Sequence, residues 1–479
     1  MKQGKIFRLT ISIIPVAFLM IAIAFIIGMY GGDAISGGSQ VVLLLSTAVC
    51  IWLATWLFKV PWSAFEDQFR ENIGDLAMSL MILLLIGALS GAWTVSGIVP
   101  SFIYYGVHII SPRFFLITAC IISALVSVAT GSSWTTIATI GVALLGIGKA
   151  EGFSDPLIAG AIISGAYFGD KISPLSDTTV LASSFNKVPL FSHIRYLMVT
   201  TVPSFTITLA IFLILGLSHS SGDQSGIAVY AEGMRNSFNI TPWIMLVPVM
   251  TGIMIARRMP AVVVLLLSAL LGIVAAVIFQ GDILSAIGEG VTSGPAIKVK
   301  AAGIVETLYN STSIETGNPD VNDLVATRGM RGMLSTVFLI ICSMCFGSSM
   351  KASGMLDTLA SLVLPLTRRR TSLVASTVGT GVLMNGVAGD QYLSIILTSS
   401  IFRDIYEKEG YEGRLLSRSI EDSATITSPL IPWNTCGMTQ ATILGTSTFA
   451  YAPYCFFNYI SPLMSILIAA TGYKIFKAR

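Results

Sequence analysis

The sequence predicts an all-α polytopic membrane protein: about ten transmembrane helices plus two helical hairpins, in inverted repeats that each hold one broken helix. Three observations carry this. The 479 residues are 54% hydrophobic and only 11% charged, with a mean hydropathy of +0.80, whereas soluble domains carry about a quarter charged residues. Many apolar runs approach the ~20 residues a helix needs to cross a bilayer. The order of those runs occurs twice. Backbone polar groups in lipid must be satisfied within the segment, so the runs are expected to be helices. A net charge of +3 gives no basis for nucleic-acid binding. Membrane lipid is the expected surrounding, and a homodimer is left open.

The N-terminus is basic and then apolar. Residues 11–30 are long for a signal-peptide core and lack a clear small-residue cleavage site, so they read as the first span. A small polar loop, 31–39, leads to a second span, 40–58. Residues 59–72 are charged and amphipathic and suit the interface, and a third span covers 75–97. Residues 98–110, with Pro100 and His108, are too short to span. Two apolar arms, 113–131 and 132–148, meet at a polar turn, 130–136, and form the first hairpin. The first broken segment is 155–185, followed by the apolar stretch 190–216. A polar connection, 218–239, precedes spans at 240–256 and 260–280, and 281–328 reads as a long hydrophilic loop. The earlier order then returns: span 332–350, short segment 355–366, a hairpin of 371–389 with 390–405, an apolar stretch 414–444 with a polar centre, and a last span at 451–473. Cysteines fall mostly within apolar runs. The pair Cys342 and Cys345 has no partner pair and reads as packing.

Residues support the repeat. At an offset of 258, Gly131 falls on Gly389, Trp134 on Tyr392, and Glu151-Gly152-Phe153 on Glu409-Gly410-Tyr411. After a three-residue gap, Ser173-Pro174-Leu175 falls on Ser428-Pro429-Leu430. The chain is one transmembrane domain in which 75–217 and 331–475 are the repeats, while 11–58 and 240–280 are the expected scaffold. Internal repeats of this kind typify secondary transporters. With the N-terminus inside, 20 of the 28 basic residues fall on the inner side, seven (Arg113, Lys149, Arg235, Lys298, Lys300, Arg328, Arg331) fall outside, and Lys171 lies within the membrane. Basic residues mark the cytoplasmic side, so both termini are expected there.

Chemistry concentrates in GDKISPLSDTT at 169–179. Pro174 lacks an amide hydrogen and clashes with the preceding turn, so the helix is expected to break near Ile172 and Ser173. Broken backbone at membrane depth is tolerated only inside protein or beside a wet cavity. Freed carbonyls and the hydroxyls of Ser173, Ser176, Thr178 and Thr179 are hard oxygen ligands, and Asp170 and Asp177 add negative charge that suits a small cation or a proton. Burial raises a carboxyl pKa, so that proton and cation compete. Lys171 is expected to form an ion pair with one of these aspartates. The symmetry mate, 428–435, has two prolines and no acid, and offers carbonyls with the side chains of Asn434 and Thr435. Asp422 lies upstream, placed to face the core and contact a substrate, while Glu421 reads as interfacial and paired with Arg418. The hairpin turns bring Ser132 and Ser133 on one side and Asn385, Asp390 and Gln391 on the other as groups that reach a solute. An acid within the membrane is functional by default. No glycine loop with G-K-[ST] is present to support ATP-driven pumping, and neither enzymatic activity nor a cofactor is expected.

The stretches GAYFGDKISPLSDTT, LFSHIRYLMVTTVPS, GDQYLSI, SPLIPWNTCG and YAPYCFFNYISP resemble the NhaC family of sodium/proton antiporters, from about residue 98 onward. The resemblance implies exchange of Na⁺ for H⁺ by alternating access in the cell inner membrane. It carries ion handling to Asp170, Ser173, Asp177, Thr178, Thr179, Asp390 and Asn434, with Na⁺ around Asp177 and Asp170. Relatives that exchange small organic acids, such as malate and lactate, make a sodium-coupled carrier of an organic anion or amino acid the alternative. The sequence departs from the family at Val180, where an asparagine is common.

Overall fold

The computed structural model describes residues 2–30, 37–218, 224–257, 259–317, 319–360 and 369–476. Most of the 31–39 loop, the start of the 218–239 connection, the end of the 355–366 segment, and Arg258, Arg368, Lys477 and Arg479 therefore lie outside the described residues.

The chain opens with α1 (Lys2–Tyr30) and α2 (Gly38–Leu57), which pack on each other. Next comes α3 (Trp62–Val95), a single 34-residue helix. The charged stretch expected at the interface is continuous with the third span in one helix, because no proline interrupts it after Pro61, and the apolar part that counts as a candidate span starts at Leu80. Gly97 ends it in the left-handed region, φ +84°, which glycine adopts without strain. The following α4 (Ile98–Ile109) is short and turned by 65°. The first hairpin is α5 (Phe115–Thr130), then α6 (Ser133–Thr136), a π-helical turn at Ile137–Gly141 and α7 (Val142–Ala150). The first broken helix is α8 (Asp155–Ile172) and α9 (Asp177–Phe185), followed by α10 (Leu190–Ser218).

In the middle of the chain lie α11 (Gln224–Ser237), α12 (Leu246–Ala256) and α13 (Ala261–Phe279). The segment 281–328, expected as loop, holds three helices: α14 (Gly281–Glu289), α15 (Ala296–Tyr309) and α16 (Pro319–Val325). Its polarity hid them, but α15 buries Val299, Gly303 and Thr307, one face at intervals of four. The α14 and α15 backbones touch: a Cβ on Gly288 would stand 1.9 Å from the Val299 carbonyl oxygen.

The first order then recurs. α17 (Gly329–Ala352) and α18 (Met355–Ala360) precede a hairpin of α19 (Arg370–Ala388) and α20 (Gln391–Lys408). The second broken helix is α21 (Gly413–Ile420), a π-helical turn Glu421–Thr425, a 3₁₀ turn Ser428–Leu430 and α22 (Thr435–Leu444). Short α23 (Thr448–Tyr451) leads into α24 (Phe456–Thr471). Among the described residues seven helices are long and apolar enough to cross a membrane, or ten when each of three bent pairs counts as one. No strand forms among them beyond the isolated bridge of Thr312 and Thr327. The protein is an all-helical, multi-pass membrane protein.

Small residues set the contact that matters most for the site. α8 lies along α5, and a Cβ on Gly165 would come within 2.1 Å of the Cys120 carbonyl oxygen, one on Gly169 within 2.4 Å of that of Ala124. Helices in lipid associate through such close backbone approach. It holds the first hairpin against the first broken helix.

Candidate functional site

The first junction forms where α8 stops. Pro174 cannot continue the helix, Ser173 is extended at φ −77°, ψ 131°, and α9 restarts behind Ser176, whose hydroxyl caps it by accepting from Thr179 N at 3.4 Å. The freed carbonyls of Lys171 and Asp170 accept from Thr179 Oγ1 at 3.0 and 3.4 Å. Ser173 Oγ donates to the Val128 carbonyl at 2.8 Å. Ser173 and Thr179 thus brace the break. The hairpin turns at Gly131, φ +68°, where a Cβ would meet Leu175 at 2.5 Å, so the tip rests on the break itself.

Asp170 is buried at that contact, 7% exposed. Its Oδ2 accepts from Ser133 N at 3.1 Å and Ser133 Oγ at 2.7 Å, and its Oδ1 from Ser176 Oγ at 2.6 Å. Ser176 Oγ also lies 3.0 Å from Thr178 Oγ1. Hydrogen bonds to a charged group are each worth about 1.5–3 kcal/mol, so this carboxylate is firmly placed. Asp177 differs. It is exposed, and it makes no side-chain hydrogen bond or ion pair among the described residues. Ser132 caps α6, accepting from Thr135 N at 3.2 Å.

The second junction repeats the plan with the acid on the other partner. Gly389, again at φ +68°, ends α19. Asp390 caps α20, with Oδ1 accepting from Leu393 N at 2.9 Å and Oδ2 from Thr435 Oγ1 at 3.1 Å. Asn434 caps α22 and donates to the Asn385 carbonyl at 3.1 Å. Asn385 donates to the Ala424 carbonyl at 2.7 Å, and Gln391 Nε2 to that of Thr425 at 3.4 Å.

Lys171 points away from both aspartates of its own motif. Its ammonium pairs with Asp422 and donates to Ser461 Oγ at 2.9 Å. Asp422 Oδ1 also accepts from Thr200 Oγ1 at 3.0 Å and Ser461 Oγ at 2.9 Å, and Arg418 Nε stands 3.9 Å from Oδ2. Lys171, Arg418, Glu421 and Asp422 are all fully buried. These contacts correct two expectations: Lys171 does not pair with a neighbouring aspartate, and Glu421 is not interfacial beside Arg418. A helix residue next to Asp170 projects at about 100° from it, so the two side chains serve different neighbours.

Two cavities meet at Asp177. One, of about 320 Å³, is walled by the hairpin residues Ser132, Ser133 and Trp134, by Asp170, Asp177 and Thr178, and by Gln391 and Tyr392. The other, of about 520 Å³, is walled by Asp177, Asp390, Tyr392, Glu71 and Lys351 among others. Of the residues singled out from sequence, Asp170, Asp177, Thr178, Ser132, Ser133, Gln391 and Asp390 reach a cavity wall. Ser173, Thr179, Asn385, Asn434, Thr435, Asp422 and Lys171 do not line these two cavities. Tyr392 lines both and Trp134 lines one. Sequence singled out neither as a site residue, although the repeat already placed one upon the other.

Residues 4–180 and 165–473 match the Na⁺/H⁺ antiporter family. The chain is 36% identical to the Na⁺/H⁺ antiporter NhaC of Bacillus subtilis, over 89% of this chain and 91% of that one. It is 35% identical to NhaC of Alkalihalophilus pseudofirmus over 90% of each. It is also 36% identical to the malate-2H⁺/Na⁺-lactate antiporter of Bacillus subtilis, over 90% of this chain and 89% of that one. The chain belongs to the Na⁺/H⁺ antiporter family. Within this family's motif, the departure at Val180 falls outside the site: Val180 is exposed and is not among the residues that wall either cavity.

Proposed function

We propose that the protein is a secondary active transporter that exchanges Na⁺ for H⁺ by alternating access. One observation carries the reading: Asp177, a carboxylate without a hydrogen-bond partner among the described residues, opens into both cavities beside Asp170 and Thr178. Na⁺ is a hard cation that takes oxygen ligands. Asp177 and Asp170 supply the charge, with the Thr178 and Ser133 hydroxyls close by, while Ser173, Thr179, Asn434 and Thr435 hold the broken backbone in shape. Asp390 supplies a further carboxylate on the larger cavity. The family membership supports the same exchange. One relative is a malate and lactate antiporter, yet among the described residues no basic side chain walls the smaller cavity and the larger has Lys351 alone, at its Glu71 end, which favours an inorganic cation over an organic anion.

The orientation proposed has both termini in the cytoplasm, in the cell inner membrane. The cavities extend to Met259 and Pro260 and to Glu71 and Lys351, segments on the side that charge counting puts inside, so this conformation is read as inward-open. The repeats serve as the moving and gating part, and α1, α2, α12 and α13 as scaffold. The test uses purified protein in liposomes holding a pH dye, with a Na⁺ pulse outside. A Na⁺-driven pH change that Asp177→Asn abolishes is expected. Transport that appears only when an organic solute is added would overturn the reading.

A further inference from the structure

We propose that Glu421 carries the proton of the exchange, at a site separate from the carboxylates that take Na⁺, and gives it up when Na⁺ arrives at Asp170. This rests on the exchange reading. Glu421 opens the π-helical turn at the centre of the second broken helix and is fully buried. π turns recur at functional sites because the extra residue breaks the regular ladder. Neither carboxyl oxygen of Glu421 has a hydrogen bond of full geometric quality among the described residues, and the neighbour placed to make one is the Thr425 hydroxyl on the same turn. A bare carboxylate in such a place is strongly disfavoured, whereas the protonated acid is not.

Charge supplies the coupling. Lys171 and Arg418 are two buried cations, and Asp422 and Asp170 are two buried carboxylates. These four balance when Glu421 is neutral. A Na⁺ ion held at Asp170 screens the negative charge that Asp170 sets against Glu421, so the acid gives up its proton more readily: it becomes a carboxylate and the proton passes to water. Lys171 stands between the two sites, its backbone next to Asp170 and its ammonium on Asp422. The charges that reach Glu421 are those of Lys171 and Asp170 on α8 and Asp422 on its own turn, with Arg418 one turn before it on α21. On α10, His193 bonds Ser417 at 2.8 Å and faces Lys171. The side chains that hydrogen-bond the turn from other elements are uncharged, Asn385 from α19 and Gln391 from α20, Asn458 of α24 bonds the next carbonyl, that of Ile426, and Asp177 of α9 looks into the cavities. Gln391 both donates to the Thr425 carbonyl and walls the smaller cavity. Gln391 thus joins the turn to that cavity, and the proton's exit is proposed to run past it.

The experiment titrates Na⁺ into the purified full chain in weak buffer with a pH dye, across a pH series. Wild type is expected to release a proton for each Na⁺ bound and to gain about tenfold in Na⁺ affinity per pH unit while Glu421 titrates, since higher pH removes the competing proton. Glu421→Gln is expected to bind Na⁺, release no proton and show an affinity flat with pH, and Glu421→Asp to restore release. Wild-type release and slope in Glu421→Gln overturn the proposal and move the proton to the Na⁺-facing acids. If Glu421→Gln does not fold, the infrared difference spectrum of wild type on Na⁺ binding decides. Loss of a protonated-carboxyl band that Glu421→Asp shifts supports the proposal, and no such loss overturns it. A wild type that binds no Na⁺ at all brings down the exchange reading instead, which separates the two failures.

Discussion

Alanine at Gly169 tests whether the hairpin must touch the broken helix for the ion site to exist. The new Cβ would stand 2.4 Å from the Ala124 carbonyl oxygen, 2.5 Å from Ser127 Cβ and 2.6 Å from Val128 N. Two of these are backbone atoms and cannot rotate away. Ordinary contact starts at 3.4 Å, so 3.4 less 2.4 leaves about 1 Å by which α5 and α8 must part. Carried to the tip, that displacement stretches the Ser133–Asp170 bonds from 2.7 and 3.1 Å to about 3.7 and 4.1 Å, past the ~3.2 Å limit of a hydrogen bond. Overpacking of this kind costs about 1–3 kcal/mol, which leaves the protein folded while Asp170 loses its placement. Na⁺-driven exchange in liposomes is expected to fall at least tenfold, the equivalent of about 1.4 kcal/mol. Gly379→Ala is the control: nothing lies within 4 Å of its Cβ, and alanine inside a helix gains up to about 1 kcal/mol. Equal exchange by the Gly169 and Gly379 variants would refute the reasoning.

Lys171→Met removes one partner of a fully buried pair, a change that typically costs about 3–5 kcal/mol. Its thermal unfolding midpoint in detergent should drop sharply, and Lys171→Met combined with Asp422→Leu should recover part of the loss. Asp390→Asn separates cap from charge: asparagine caps a helix about as well as aspartate, so stability should stay near wild type while exchange falls. Unchanged exchange in that variant would reduce Asp390 to a capping residue. Thr435→Val deletes the 3.1 Å bond to Asp390 and leaves that carboxylate with backbone N–H donors at the start of α20, so the expected result is altered Na⁺ affinity with the hairpin intact by proteolysis.

The breaks and hairpins were legible because proline, glycine and hydroxyl residues act locally. Pro174 stops α8, Gly131 and Gly389 turn the hairpins, and Ser132, Ser176, Asp390 and Asn434 cap the helices that start after them. The partner of Lys171 was not legible, since it lies 251 residues away on a turn that sequence spacing alone does not bring near. The helices within 281–328 escaped for a different reason. Hydropathy detects helices that face lipid, whereas α15 needs only the narrow stripe of Val299, Gly303 and Thr307 against its neighbours. Tyr392 likewise gives no local sign that it walls both cavities.

The two junctions show which charges the fold requires. Ser132 and Asp390 occupy equivalent positions, and each caps the second arm of its hairpin by accepting one backbone N–H, from Thr135 and Leu393. A cap needs an oxygen, not a charge, so the carboxylate at 390 is surplus to the architecture, though both its oxygens are bonded. Asp170 answers to Thr425 in the other repeat, and it too is bonded at both oxygens, by Ser133 and Ser176. Asp177 opens α9 as Thr435 opens α22. It caps nothing, pairs with nothing among the described residues, and faces both cavities. Exposed negative charge that no hydrogen bond or ion pair uses is charge free to meet a cation, and on that criterion Asp177 ranks ahead of Asp170 and Asp390, which are buried and bonded at both oxygens.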